Sequence, residues 1–337
     1  MAQLSLRRVL SLQDLEMQLG VNRLPHFIYE AEQEFLAMTQ VVIDHITDNP
    51  EIRAVFVSGP TSSGKTTFAE RLALGLREKG RCALRISLDD YYDIRDLEFD
   101  TDGRPDYESL STIDSEMAAD NIMRLINSEP VFLPKFNFQT RKRDECEENA
   151  VVTLGSNGIL LVEGLHGLSS GISGVIPRSE RVGVFIMPYG DIIGDQKLFR
   201  SGDIRLLRRI VRDERHRGAH ALATIDYWPM IEASEKRCFD EYLAEADFYV
   251  NSFLAYETLV IAPAARADIE LSLSRLEDGT IEPSVFLART NPPKAFANLD
   301  TAVVRARNLF HDLSRIPKVD PKNVPDHSIL QEFIGEL

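Results

Sequence analysis

Gly59-Pro-Thr-Ser-Ser-Gly-Lys-Thr-Thr67 satisfies G-x-x-x-x-G-K-[ST] and lies between a short apolar run, Arg53-Ala-Val-Phe-Val-Ser58, and a stretch of helical periodicity. Strand, glycine-bounded loop and helix in that order make a phosphate cradle. Successive N–H groups of such a loop turn toward the β-phosphate of a nucleotide, with Gly59 and Gly64 free to adopt φ values that other residues resist. Thr61, Ser62 and Ser63 lie within the cradle. Lys65 is expected to span the β- and γ-phosphates and Thr66 to place its hydroxyl on Mg²⁺. Thr67 follows in the first helical turn, whose partial positive charge favours an anion. Beyond it, Phe68, Leu72 and Leu76 share one face before Gly80 ends the helix.

Outward from this loop, β-like runs alternate with helical stretches. Residues 53–58, 82–87, 158–163, 182–187 and 247–251 are strand candidates, and their alternation with helices predicts a parallel sheet covered on both faces. Before them, residues 1–50 read as a helical extension, with Phe27, Ala31, Phe35 and Met38 at helical spacing up to the break at Asn49-Pro50. After about residue 262, Ile269-Glu-Leu-Ser-Leu273, an Asp278-Gly279 turn signal and Val285-Phe-Leu287 suggest a small hairpin, followed by a helix over 300–315. The expected architecture is therefore α/β, a P-loop NTPase core over 51–262. A helical N-terminal extension (1–50) and a small α+β C-terminal extension (263–337) pack on it.

The 337 residues are 44% hydrophobic, enough for a substantial core. No apolar run is long enough for a membrane span, and the N-terminal residues lack a signal-peptide h-region, so a cytoplasmic location without membrane association is expected. Cys82, Cys146 and Cys238 are too scattered for a metal site or a disulfide framework. A net charge of −15 argues against a broad nucleic-acid surface but leaves room for a local arginine cluster that holds a small anion. Homo-oligomerisation stays open.

Three further segments carry chemistry. Ser87-Leu-Asp-Asp-Tyr-Tyr92 follows the second strand, so its carboxylates emerge at the carboxyl edge of the sheet, where open α/β folds bind ligands. Asp89 is placed there to orient and deprotonate an acceptor hydroxyl, with Asp90 near metal-bound water. Ile159-Leu-Leu-Val-Glu-Gly-Leu-His166 is an apolar strand ending in Glu163, the shape of a Mg²⁺-supporting Walker B segment, with His166 in a structural role. Arg205, Arg208, Arg209, Arg212 and Arg215 fall within an arc of roughly 120° on a helix. Such an arc is either a salt-bridged surface or a lid that closes over a transferred phosphoryl group.

With the loop, Asp89-Asp-Tyr-Tyr, Val162-Glu-Gly-Leu-His and Arg208-Arg-Ile-Val-Arg-Asp-Glu-Arg-His-Arg-Gly218 in this order, the chain resembles the uridine kinase and phosphoribulokinase family over roughly residues 50–260. It is similar to the long uridine kinase-like proteins that end in Ser-Ile-Leu-Arg-Glu-Phe-Ile-Gly, here Ser328-Ile-Leu-Gln-Glu-Phe-Ile-Gly335. In those proteins a half related to threonyl-tRNA synthetase often precedes the core; here about 50 residues do. The resemblance implies ATP and Mg²⁺ as cofactors and Asp89 as general base, supported by catalytic Lys65 and Arg212. It makes Arg209, Arg212 and Arg217 lid arginines and gives the metal to Thr66, Asp89 and Glu163. Asp106 in Arg104-Pro-Asp-Tyr107 matches the sugar-contacting region, and Arg143 and Tyr92 join it in the acceptor site.

Departures cluster at the base-reading end. Uridine kinases have Tyr-Asp-Phe followed by a histidine; this chain has Phe136-Asn-Phe138 and Arg141, and Asp226 stands where a pyrimidine-reading glutamine is expected. A site without those partners discriminates poorly for uracil or takes another acceptor. The expected function is an ATP- and Mg²⁺-dependent kinase acting on a hydroxyl of a small metabolite, with a nucleoside foremost. A sugar, polyol or sugar-phosphate acceptor is the alternative within that chemistry. An ATP-binding regulatory protein that phosphorylates no metabolite is the alternative outside it; the missing Asn-Lys-x-Asp motif speaks against a GTPase switch.

Overall fold

Every residue of Ala54–Ser58 is buried, as is every residue of Gly158–Glu163, which is what continuous apolar runs produce in a parallel sheet with both faces covered. The structure, a computed structural model, describes residues 7–93, 97–137, 142–143, 151–288, 290 and 292–335. Phe138, Arg141 and Cys146, named above, lie outside them.

The chain opens with β1 (Arg8–Ser11), α1 (Leu12–Met17) and the long α2 (Arg23–Asp48). Then come β2 (Ala54–Ser58), α3 (Lys65–Glu78), β3 (Cys82–Ser87) and α4 (Ser115–Ile126). Four two-residue strands follow, β4 (Val131–Phe132), β5 (Phe136–Asn137), β6 (Lys142–Arg143) and β7 (Val151–Val152). The core continues with β8 (Gly158–Glu163), α5 (Ser170–Ser173), β9 (Arg181–Met187), β10 (Gly190–Ile193) and β11 (Lys197–Phe199). It is completed by α6 (Ser201–His216), α7 (Ala221–Glu245), β12 (Phe248–Asn251), α8 (Glu257–Glu277), α9 (Leu299–Leu313) and the short α10 (Gln331–Ile334).

The five expected strands form one parallel sheet in the order β12-β9-β2-β8-β3. Alternate residues of each central strand serve opposite faces. Val55 and Val57 of β2, with Ile159 and Leu161 of β8, join the apolar cluster that holds α2, α3, α6, α8, α9 and the C-terminal residues. Ala54 and Phe56, with Leu160 and Val162, join a second cluster against α4 and α5. Because all five strands run the same way, the ends of β2, β3 and β8 deliver the phosphate loop, Asp89 and Glu163 to one edge. In register, Ser87 of β3 lies opposite Glu163 of β8.

Two expectations are corrected at the extensions. Residues 1–50 are not wholly helical: β1 pairs in parallel with β10, which pairs antiparallel with β11, making a separate three-stranded sheet. The C-terminal extension is not α+β: among the described residues after 262 there is no strand. Ile269-Glu-Leu-Ser-Leu273 lies inside α8, and Val285–Leu287 forms a 3-10 turn. The alternation there was genuine, but Ala262, Ala265, Ile269 and Ser272 also recur every three or four residues and are the buried ones. A helix that begins at Glu257 and continues past Pro263 in its second turn is already formed where it meets them, and adding residues to a formed helix is cheap. It also crosses residue 262 without a break, from the core into the extension. Among the described residues no helix is long and apolar enough to cross a membrane.

Candidate active site

The loop after β2 has the geometry its glycines imply. Gly64 caps α3 at φ +86°, and a Cβ on Gly59 would stand 2.1 Å from the carbonyl oxygen of Ile186, so neither position accepts a side chain. Ser62 takes a positive φ of 57° without that freedom, a local strain of the kind that collects at ligand sites. The Ser62 and Ser63 hydroxyls are buried with no hydrogen-bond partner among the described residues, donors that phosphate oxygens would satisfy. Lys65 folds back to donate to the Pro60 carbonyl at 2.9 Å. The residues present therefore fit a nucleotide's phosphates.

The arginine helix braces this loop. Arg205 and Arg208 donate to the Thr61 and Ser62 carbonyls at 3.3 and 3.2 Å. Arg209 donates to the Thr61 hydroxyl at 2.8 Å, and Glu235 accepts from the Thr61 N–H at 2.8 Å. Arg205 pairs with Glu235 and Arg208 with Glu257, all four buried. The basic arc is thus neither a solvated surface nor uniformly a lid: its N-terminal half is core. Further along, Arg209, Arg212 and Arg217 converge on the buried Asp213 at 3.0, 3.3 and 3.7 Å. Burial would raise the Asp213 carboxyl, but the three guanidinium groups draw it below its ordinary value. Burial, then the neighbouring Arg217, lowers Arg212 to about 10. The three cations thus share Asp213 beside the phosphate loop, and Arg209 pairs with Glu108 as well.

Asp89 lies in the 3-10 turn Leu88–Tyr91 that leaves β3, and Glu163 ends β8. Burial raises the Asp89 carboxyl above its ordinary value, and Glu108 adds to that, while Lys65, Arg217 and Arg212 oppose it. Glu163 is raised to about 7, by burial first and then by the charge of Asp89. The structure therefore brings Lys65, Asp89, Glu163, Arg212 and Arg217 within electrostatic reach of one point. Among the described residues no three His, Cys, Asp or Glu side chains form a metal cage. Two crowded carboxylates within electrostatic reach of Lys65 instead suit Mg²⁺, which takes one or two carboxylates and fills its shell with water and phosphate oxygens.

The acceptor-side residues divide. Tyr92 is half-buried, its hydroxyl pushed well above its ordinary value by desolvation and then by Asp89 and Glu108. Its ring lies 5.3 Å from that of Phe136, tilted by 44°. Asp90 accepts from the Phe136 N–H at 3.2 Å and pairs with Lys135 at 3.3 Å, both through Oδ1. Arg143 donates to the Tyr91 and Tyr92 carbonyls and pairs with Asp114, so it braces the turn that carries Asp89. Asp106 is buried against Arg237 and accepts from the Glu108 N–H. Asp226 accepts from the Ala297 and Asn298 N–H groups at 2.7 and 2.8 Å and lies 3.6 Å from Arg104, a structural clamp at the head of α9. His166 bonds Tyr242 and the Glu108 carbonyl and is lowered to about 4 by burial, hence neutral and structural as expected.

Sequence reasoning missed Glu108 and Glu235. Glu108 pairs with Arg209 at 3.2 Å and acts on Asp89, Tyr92 and Tyr227. Its only signal was its place two residues after Asp106. Glu235 gave none, being 174 residues from the N–H it holds.

The model of the phosphoribulokinase/uridine kinase family matches residues 54–258. A uridine kinase of Halalkalibacterium halodurans is 25% identical over 178 residues, covering 52% of this chain and 74% of its own length. That of Halobacterium salinarum is 26% identical over 178 residues, covering 52% and 68%. Among solved structures, a "possible uridine kinase" from Bacillus stearothermophilus aligns with 45% of this chain and 80% of its own at 20% identity and a TM-score of 0.38. With more than half of its length matched, and the phosphate loop, Asp89 and Glu163 gathered at one sheet edge, the chain belongs to the phosphoribulokinase/uridine kinase family of phosphotransferases.

Proposed function

We propose that the protein transfers the γ-phosphoryl group of ATP directly to a hydroxyl of a small, uncharged, polyhydroxylated metabolite, with a nucleoside foremost. The observation that carries this is the convergence of Lys65, Asp89, Glu163, Arg212 and Arg217 on one point beside the phosphate loop. Asp89 would orient the acceptor hydroxyl and take its proton as the oxygen attacks the phosphorus in line. Lys65 would exchange the Pro60 carbonyl for phosphate oxygens, and Arg212 and Arg217 would meet the charge that spreads over the transferred group. Thr66, Asp89 and Glu163 are the residues to hold Mg²⁺, which when bound neutralises the phosphates and favours both carboxylates in their ionised forms. Tyr92 and Phe136 would keep water from the transferred group.

The acceptor's charge class follows from the partners already taken. Arg143 is committed to Asp114 and Arg237 to Asp106, whereas Asp89 and Glu108 face the acceptor side. The described cations nearest to them are themselves engaged, Arg209 by Glu108 and Asp213 and Arg217 by Asp213, and would have to exchange those partners to answer an anionic acceptor such as a sugar phosphate. This supports the nucleoside reading, and a neutral sugar or polyol after it.

The test is ADP release with a panel of nucleosides, neutral sugars and polyols, pentose phosphates and pantothenate. A neutral polyhydroxylated acceptor should raise turnover above the water background. Lys65→Ala should abolish turnover, and Asp89→Asn should lower kcat by roughly 10²–10⁴-fold with ATP binding retained. No stimulation by any acceptor, with tight ATP binding indifferent to Asp89→Asn, would instead support an ATP-binding regulator.

A further inference from the structure

The segment Ser328–Gly335 lies outside the family match, 54–258, yet it closes on the phosphate loop. Ile329 packs so tightly on Gly64 that a Cβ there would stand 2.1 Å from its Cδ1. Ser328 bonds the Tyr256 hydroxyl at 3.1 Å, and Phe333 lies under the Arg208 guanidinium at 5.0 Å while its carbonyl accepts from Arg215 at 3.0 Å. These anchors hold Glu332 against the first turn of α3. There the Thr67 hydroxyl donates to its Oε2 at 3.1 Å, and its charge also reaches Arg212.

Thr67, the N-terminal turn of α3 and Arg212 are an anion-binding set: a hydroxyl donor, a helix N-terminus and a cation. A carboxylate standing on that set meets the same partners that a nucleotide phosphate needs, and repels the phosphate as it arrives. Glu332 is half-buried and, among the described residues, its carboxylate is bonded by the Thr67 hydroxyl alone, so it can leave Thr67 without uncovering the core, whereas Phe333 beside it is fully buried.

We propose that Glu332 belongs to the nucleotide site and competes with the donor's phosphates for Thr67 and Arg212, so that the C-terminal segment sets nucleotide affinity. This rests on the reading that the phosphate loop holds a nucleotide. Binding of ATP and of ADP to the full chain, by calorimetry with and without Mg²⁺, tests it. Glu332→Gln keeps the size of the side chain and an acceptor for the Thr67 hydroxyl but removes the charge. It should tighten binding by roughly three- to tenfold, and the gain should shrink as salt rises. Unchanged or weaker binding by Glu332→Gln, with Lys65→Ala still abolishing binding, overturns the inference. Lys65→Ala binding like wild type overturns the underlying nucleotide reading instead. Hydrogen exchange of the wild type is the second measurement, should the variant not fold: on addition of ATP, residues 331–335 should lose protection, and unchanged or greater protection overturns the inference.

Discussion

Glu163 shows how a site residue can be dear to stability. Its carboxyl titrates at about 7 rather than 4.5, so the native protein holds this proton more tightly than the unfolded chain does. The stability it contributes is therefore complete below pH 4.5 and is lost as pH rises through about 7. Above that the cost reaches about 3 kcal/mol at most. Glu163→Gln should accordingly melt higher than wild type near pH 8, while the two melt alike near pH 4.5; thermal unfolding at both pH values checks it. The same crowding explains why two carboxylates that oppose folding are suited to a divalent cation. Asp226 is the opposite case. Both its oxygens are engaged by backbone N–H groups at the head of α9, so the position aligned with a base-reading residue serves architecture.

At the scale of elements, α6 is the piece whose role the sequence left open. Its arginines share one arc, as their spacing requires, but the helix is enclosed, and Arg205 and Arg208 are answered by acids and carbonyls from distant elements, while Arg212 pairs with Asp213 of the helix itself. Their first function is to hold the phosphate loop in shape, and only the C-terminal arginines are left to face the site. Removing Glu235 should show this. Glu235→Ala strands the buried Arg205 and frees the Thr61 N–H, so it should cost about 3–5 kcal/mol in urea unfolding. The double variant Arg205→Met/Glu235→Leu should recover most of that loss, because matched apolar groups replace a buried ion pair at little cost.

For the whole molecule, the extensions are continuous with the core. Phe333 shares an apolar cluster with Val55 and Val57 of the central strand and with Phe35 of α2. Phe333→Ala should lower stability by about 3–5 kcal/mol in one cooperative transition, whereas an independent tail would unfold in a separate early step; denaturation followed by two probes checks it. The strands of the sheet, the phosphate loop, Asp89 and Glu163 were legible because each is written locally, in an apolar run, a glycine spacing, or a carboxylate at a strand's end. The hairpin expected at 269–287 failed because period two and period 3.6 coincide over five residues, and the helix continuing from Glu257 decided between them. Local patterns along the chain are thus enough to dictate the sheet, the cradle and the chemistry that the cradle admits. Which arginines brace the loop, that Glu108 and Glu235 stand beside it, and that Glu332 rests on Thr67 follow from the folded packing alone. Those are contacts between residues roughly 100 to 270 positions apart, and burial and pairing across such separations leave no local pattern to read.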